Sequence, residues 1–168
     1  MTRPLSTLTA SAALCLALAA TATAITATGT TTVNATVNES LGVTATASVT
    51  IPALNVGATS AAIAAPVTVV SNVTGGYQLS VARTAFTNGD IPLSFLVATP
   101  ADVTQLLDVT AATATAVPTS GGQNVGHRTA TITAAIGDTW TTSLQLGPVP
   151  FTRSGAHAST VTFTAVGL

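Results

Sequence analysis

The sequence predicts an all-β protein, an Ig-like antiparallel sandwich of about seven to nine strands. Three observations carry this expectation. From residue 31 onward small or branched apolar residues occupy one parity and threonine or serine the other. Val43, Ala45, Ala47, Val49 and Ile51 interleave with Thr44, Thr46, Ser48 and Thr50, the period-2 pattern of a strand with one buried face. Turn residues recur at short spacing between such stretches. Beyond the N-terminal region, no segment shows a persuasive helical pattern with charged i,i+4 pairs.

Residues 1–24 read as a signal peptide. Arg3 supplies a positive start, residues 14–20 an apolar run, and Ala22 and Ala24 a small-x-small cleavage site. The β-sandwich domain is then expected over residues 25–168. Cys15 lies in the removed segment, so the mature chain has no thiol for a disulfide or a cysteine metal site. Val33, Ala35 and Val37 share one face of a first expected strand, and residues 43–51 form a second, closed by Pro52. Residues 53–65, alanine-rich with Asn55 and Gly57, read as a loop. Residues 67–73 and Tyr77, Leu79 and Val81 read as a hairpin turned by Gly75-Gly76.

Asn88-Gly89 tolerates the positive φ of a type I′ turn and leads into Ile91, Leu93, Phe95 and Val97, with Pro92 marking a strand start or edge. A weaker strand follows at 103–109, then a long connection through 111–122. Ala130, Ile132, Ala134 and Ile136 suggest the next strand, Trp140, Leu144 and Leu146 another, and Val161, Phe163 and Ala165 the last. Trp140 and Phe163 share parity with apolar neighbours and are expected in the core.

Only 5% of residues are charged, against about 25% in ordinary globular proteins. There is no lysine. Arg83, Arg128 and Arg153 are scattered, which excludes nucleic-acid binding by phosphate neutralisation. At 47% apolar residues and a net charge near zero, the chain should fold rather than stay disordered. No segment of the mature chain is expected to span a membrane. A neutral, threonine-rich surface without lysine lacks the usual protection of sheet edges, so the expected partners are like subunits through those edges, or a cell-wall or surface polymer.

Residues with catalytic chemistry are sparse. His127 and His157 each open an expected strand and Asp138 lies in the turn between, a partial two-His-one-carboxylate set without a third ligand of known position. There is no G-x-S-x-G elbow, and Glu39 is the only glutamate. No catalytic, cofactor-binding or metal residues and no cofactor are therefore expected, and the chain reads as non-enzymatic. Asp90, Asp102, Asp108 and Asp138 read as turn formers, and Asn88-Gly89-Asp90 as a turn rather than a calcium loop. Asn34, Asn38 and Asn72 match the N-x-[ST] pattern. The loop at 118–127 is the candidate surface for a small binding or inhibitor module.

Asn72-Val73-Thr74-Gly75-Gly76-Tyr77-Gln78-Leu79-Ser80-Val81 resembles the strand-turn "GY-x-L-x-V" segment of secreted bacterial Ig-like sandwiches, the group including WxL-like surface domains and spore coat protein U-like domains. Residues 154–164 are similar to their closing "G-x-Y-x-x-T-V-T-F" strand. His157 stands where an aromatic is usual, and Trp140-Thr141-Thr142 lacks the leucine of W-x-L. The resemblance implies a secreted, extracellular, cell-surface, coat or matrix component without catalysis, and it carries over no site residues. A fibre subunit that adds residues 26–38 to the next molecule's sheet is the alternative.

Export with cleavage after Ala24 is expected on N-terminal sequencing of the exported protein; a mature chain that retains Cys15 would overturn it.

Overall fold

The computed structural model describes residues 31–129 and 132–168. The expected signal peptide and Cys15 lie outside the described residues. Val37–Leu168 form one compact unit. Residues 31–36 belong to a separate unit and carry no regular secondary structure.

The described residues are all-β, with eleven strands and no helix. These are β1 (Leu41–Ala45), β2 (Ile63–Ala64), β3 (Val67–Ser71), β4 (Gly76–Arg83), β5 (Leu93–Val97), β6 (Gln105–Leu107), β7 (Thr115–Ala116), β8 (Gln123–Thr129), β9 (Asp138–Trp140), β10 (Thr142–Leu146) and β11 (Val161–Gly167). They pair antiparallel in three sheets, ordered β1-β3-β9, β2-β10-β5-β7 and β11-β4-β8-β6.

The first two sheets meet at a bend. Ser143 lies opposite Ala64 and Trp140 opposite Val67, so β2 with β3 and β9 with β10 keep one register across the break. Ala65 N–H donates to Thr142 O at 2.9 Å within it. Within the break Pro66 stands opposite Thr141, whose carbonyl accepts from Ala98 N–H at 3.0 Å on the other side, so the two do not exchange a ladder hydrogen bond. The strand count exceeds the expected one in part because this bend divides two long strands into four short ones.

The core lies between this bent layer and the β11-β4-β8-β6 sheet. Val67, Val69, Leu93, Phe95, Val97, Trp140 and Leu144 from one side join Tyr77, Leu79, Val81 and Val125 from the other in one buried cluster. Trp140, Tyr77 and Phe95 are fully enclosed. Phe163 is half-buried and packs against the cluster rather than inside it.

Several expected elements are displaced, each for a local reason. Residues 31–40 form no strand despite their alternation, since no ladder partner pairs with them among the described residues. The strand expected at 43–51 ends at Ala45. Its partner runs out there: Ala45 faces Val67, and the next position across is Pro66, to whose carbonyl Thr46 Oγ1 donates at 3.3 Å. The hairpin of 67–73 with 77–81 does not form. β3 pairs with β1 and β9, whereas β4 pairs with β11 and β8, so the turn at residues 72–75 carries the chain across the sandwich from one layer to the other. Alternation marks the buried face of each strand, and that face is the same whether two strands lie side by side or face each other. Asn88 and Gly89 do adopt positive φ, at 61° and 116°, but they too join strands of different sheets.

The strand expected from Ala130 is formed upstream, as β8, and residues 132–136 are irregular; Ala130 and Thr131 lie outside the described residues. Ile132 and Ile136 are exposed, whereas Thr133 is buried and exchanges hydrogen bonds with Ser71. The candidate loop at 118–127 accordingly holds strand residues from Gln123 onward.

β8 contains a bulge. Leu79 faces Gly126 and Ser80 faces Asn124, leaving Val125 as the extra residue. The bulge shifts parity, so Val125 and Arg128 both turn inward. A Cβ on Gly126 would approach two ring carbons of Trp140 at 2.6 Å and Leu106 O at 2.5 Å, so the absent side chain makes room for the indole.

Trp140→Ala should lower unfolding free energy by about 3–5 kcal/mol. Gly126→Ala should cost about 1–3 kcal/mol through overpacking against the same ring. Urea denaturation measures both; a loss within about 0.5 kcal/mol for Trp140→Ala is incompatible with the enclosed indole.

Candidate functional site

The few charged residues are mostly drawn into specific contacts. Trp140 Nε1–H donates to Tyr77 Oη at 2.9 Å, and Tyr77 O–H donates to Asp138 Oδ2 at 2.7 Å. Arg128 Nη1 donates to Asp138 Oδ1 at 2.5 Å and to Asp102 Oδ2 at 3.1 Å. Arg128 and Asp138 are both buried, and the Tyr77 and Trp140 rings meet edge-on with centroids 6.5 Å apart. Burial first, and then the hydrogen bond to Asp138, push the Tyr77 phenol above its usual range, so it remains a protonated donor. Burial disfavours the Arg128 charge, yet the hydrogen bonds and charges of Asp138 and Asp102 raise its pKa overall. The Thr104 backbone N–H and hydroxyl, both donating to Asp102 Oδ1, hold that carboxyl below its usual range.

A second pair closes another end of the core. The Arg83 side chain, 6% exposed, donates from Nη1 and Nη2 to the two oxygens of Asp90 at 2.6 and 2.9 Å. Its Nε reaches Val117 O at 3.0 Å, and the guanidinium lies 5.5 Å from the Phe86 ring centroid. The Arg83 hydrogen bond brings the Asp90 carboxyl down to about 2.

Asp138 is thus a buried partner rather than a solvated turn residue, and Asp90 and Asp102 add ion pairs to their turns. The sequence reading missed these roles. One signal was available: in a chain with so few charges, most of those kept carry a specific contact.

His127, His157 and Asp138 are not brought together. His127 Nδ1 lies 2.8 Å from Asp108 Oδ1, whose other oxygen accepts from Gln78 Nε2 at 2.6 Å. His157 Nε2 instead contacts Arg153 O at 2.9 Å in the segment before β11. No group of three or more His, Cys, Asp or Glu among the described residues is placed to hold a metal ion. Glu39, Asn34 and Asn38 are exposed. The Asn72 side chain accepts from Ser40 N–H and donates to Asn38 O at 2.9 Å, tying the start of β1 to the end of β3.

A groove of about 950 Å³ opens on the surface. One rim is the chain that follows β1, residues 45–56, and the other is the chain leading into β11, residues 152–161. Ile91, Leu93, Leu144, Leu146 and Phe163 contribute an apolar lining. Residues 46–54 and 152–160 carry no strand, and β1 and β11 are both edge strands of their sheets. Val49, Ile51 and Leu54 rest on the core by side-chain contact. The groove is thus a slot with an apolar floor and polar rims that include Arg153 and His157, beside the edges of β1 and β11, which also contact each other; its length suits an extended segment.

No family model, no curated protein and no solved structure matches the chain. No helix among the described residues is long and apolar enough to cross a membrane.

Asp90 titrates near about 3.9 in an unfolded chain and near 2 when folded, so the Arg83–Asp90 contact stabilises above about pH 4 and is lost as the pH falls toward 2. Asp90 is about half exposed, which keeps the effect small through solvent screening. Asp90→Asn should be less stable than the parent near neutrality, and the gap should close between about pH 4 and 2 in urea titrations. A gap independent of pH would assign the loss to something other than this ion pair.

Proposed function

We propose that the chain is a secreted, non-enzymatic structural β-sandwich, a surface, coat or matrix component that contacts like subunits through the groove between residues 45–56 and 152–161. The groove is the observation that carries this reading. It leaves core side chains beside the edges of β1 and β11 without strand cover. Unprotected edges of this kind are routes to strand addition. The chain has no lysine to oppose such pairing, and its net charge is close to zero. The polar clusters support the non-enzymatic reading: Arg128 with Asp138 and Arg83 with Asp90 are engaged in holding the fold, and neither includes a nucleophile next to a base.

The occupant of the groove is assigned to the N-terminal segment of a second copy. Val33, Ala35 and Val37 alternate with Asn34 and Thr36, and this stretch forms no strand in its own chain. Its apolar parity suits an apolar slot and its backbone is available for a ladder.

The mature chain should assemble in a concentration-dependent and salt-tolerant manner in analytical ultracentrifugation, because strand addition rests on backbone hydrogen bonds and side-chain parity rather than ion pairs. Val33→Lys, Val37→Lys or removal of residues 25–38 should return it to monomer. A monomer at all concentrations would sink the assembly reading, and assembly indifferent to these changes would move the contact to another edge. Fractionation of the host culture into medium, envelope and cytoplasm tests export independently.

A further inference from the structure

We propose that a second, separate cleft, over Arg128 and Asp138, binds a neutral hexose unit of a glycan. This cleft measures about 380 Å³, within the roughly 300–1,000 Å³ common for small-molecule sites. Residues 98–102, which follow β5, form one wall, and Asp138, Thr139 and Thr141 form the other. It shares no lining residue with the groove, so it stands or fails apart from the assembly reading.

Gln105 points to a ligand. It lines the cleft beside Arg128 in the β6–β8 ladder and is more than nine-tenths buried, yet its Nε2 has no hydrogen-bond partner. Buried amides are almost always satisfied, and one that is not calls for an explanation. Gln105 thus places an unsatisfied donor in the wall of the cleft.

The charge pattern selects the chemistry. Two carboxylates, Asp102 and Asp138, accompany one guanidinium, so an anion would meet net negative charge. A cation would have to compete with Arg128, which already bridges both acids. A neutral ligand with hydroxyl groups meets neither obstacle. Asp102 and Asp138 retain lone pairs to accept hydroxyl protons, since a carboxylate takes about four hydrogen bonds, and Gln105 can donate to a hydroxyl or ring oxygen. Ala98, Pro100 and Ala101 offer an apolar wall for the C–H face of a pyranose ring.

The experiment is an NMR titration of the ¹⁵N-labelled mature chain with methyl glucoside, methyl mannoside, methyl galactoside and the N-acetylglucosamine disaccharide, each into the millimolar range. At least one probe should shift the amides of residues 98, 99, 101–105 and 137–141. Gln105→Met, which keeps the chain length and removes the amide, should weaken that probe about tenfold or more. Ala101→Leu, on the exposed rim, should block the cleft without touching the buried set, and it decides the matter if Gln105→Met does not fold. Shifts absent from these residues for every probe, or unchanged affinity in the folded variant, would overturn the proposal, whether or not the chain assembles through its groove.

Discussion

The hydrogen bond of the buried Trp140 indole sets conditions that much of the structure meets in sequence. An indole enclosed between two layers must place its N–H on an acceptor, and the acceptor is Tyr77 Oη. The phenol, itself fully buried, must then donate onward, and it does so to Asp138. A carboxylate at that depth requires a counter-charge, which is Arg128. Arg128 reaches the interior because the bulge at Val125 reverses the parity of β8, and the indole fits against β8 because Gly126 has no side chain. Five residues from three strands, β4, β8 and β9, are thereby specified together. Removing any one member of such a set leaves the next buried polar group unsatisfied, which is why a polar chain inside a core specifies one arrangement more sharply than apolar packing does.

Pro66 is the second constraint, and its effects are opposite in kind. By lacking an N–H it removes the donor that would have extended the β1 ladder past Ala45. One residue therefore leaves the alternating segment 46–51 without a ladder. That segment still places Val49 and Ile51 on the core. Its backbone is held much less than its side chains, the combination expected of a segment with low local stability. The groove lies where this happens.

Much of the fold was legible in the sequence, for identifiable reasons. Alternation located the buried faces of β3, β4, β5, β10 and β11, and it placed Trp140 in the core, because a half-buried strand imposes period 2 on its own residues. Pairing was not legible. The turn at 72–75 crosses between layers instead of closing a hairpin, and residue parity is identical in the two cases. β8 was hidden by Gly122 and Gly126, which read as loop residues until the Trp140 ring is seen to need the space at 126. The exposed Ile132 and Ile136 supplied a competing alternation that burial does not use. The polar sites were the least legible part. The separation between Arg128 and Asp102 along the chain gives no hint of their contact, and Asp138 beside a glycine looks like any turn. The groove, too, depends on where a ladder stops, which only the partner strand decides.

The distribution of charge connects stability with the proposed assembly. With no cysteine among the described residues, the layers are held together by core burial and by whatever polar contacts they can bury. Here two of the three arginines beyond residue 24, Arg83 and Arg128, and three of the five carboxylates, Asp90, Asp102 and Asp138, serve that purpose. Charges committed to internal contacts are not free to guard strand edges, and with no lysine in the chain little beyond Arg153 and Glu39 is left for that purpose. Threonine on the outward parity keeps the faces wet but neutral. Such a surface offers little electrostatic resistance to a neighbouring strand or to a neutral polymer. The same economy of charge that fixes the interior therefore leaves an exterior of few charges, and this is why the proposed assembly should respond little to salt.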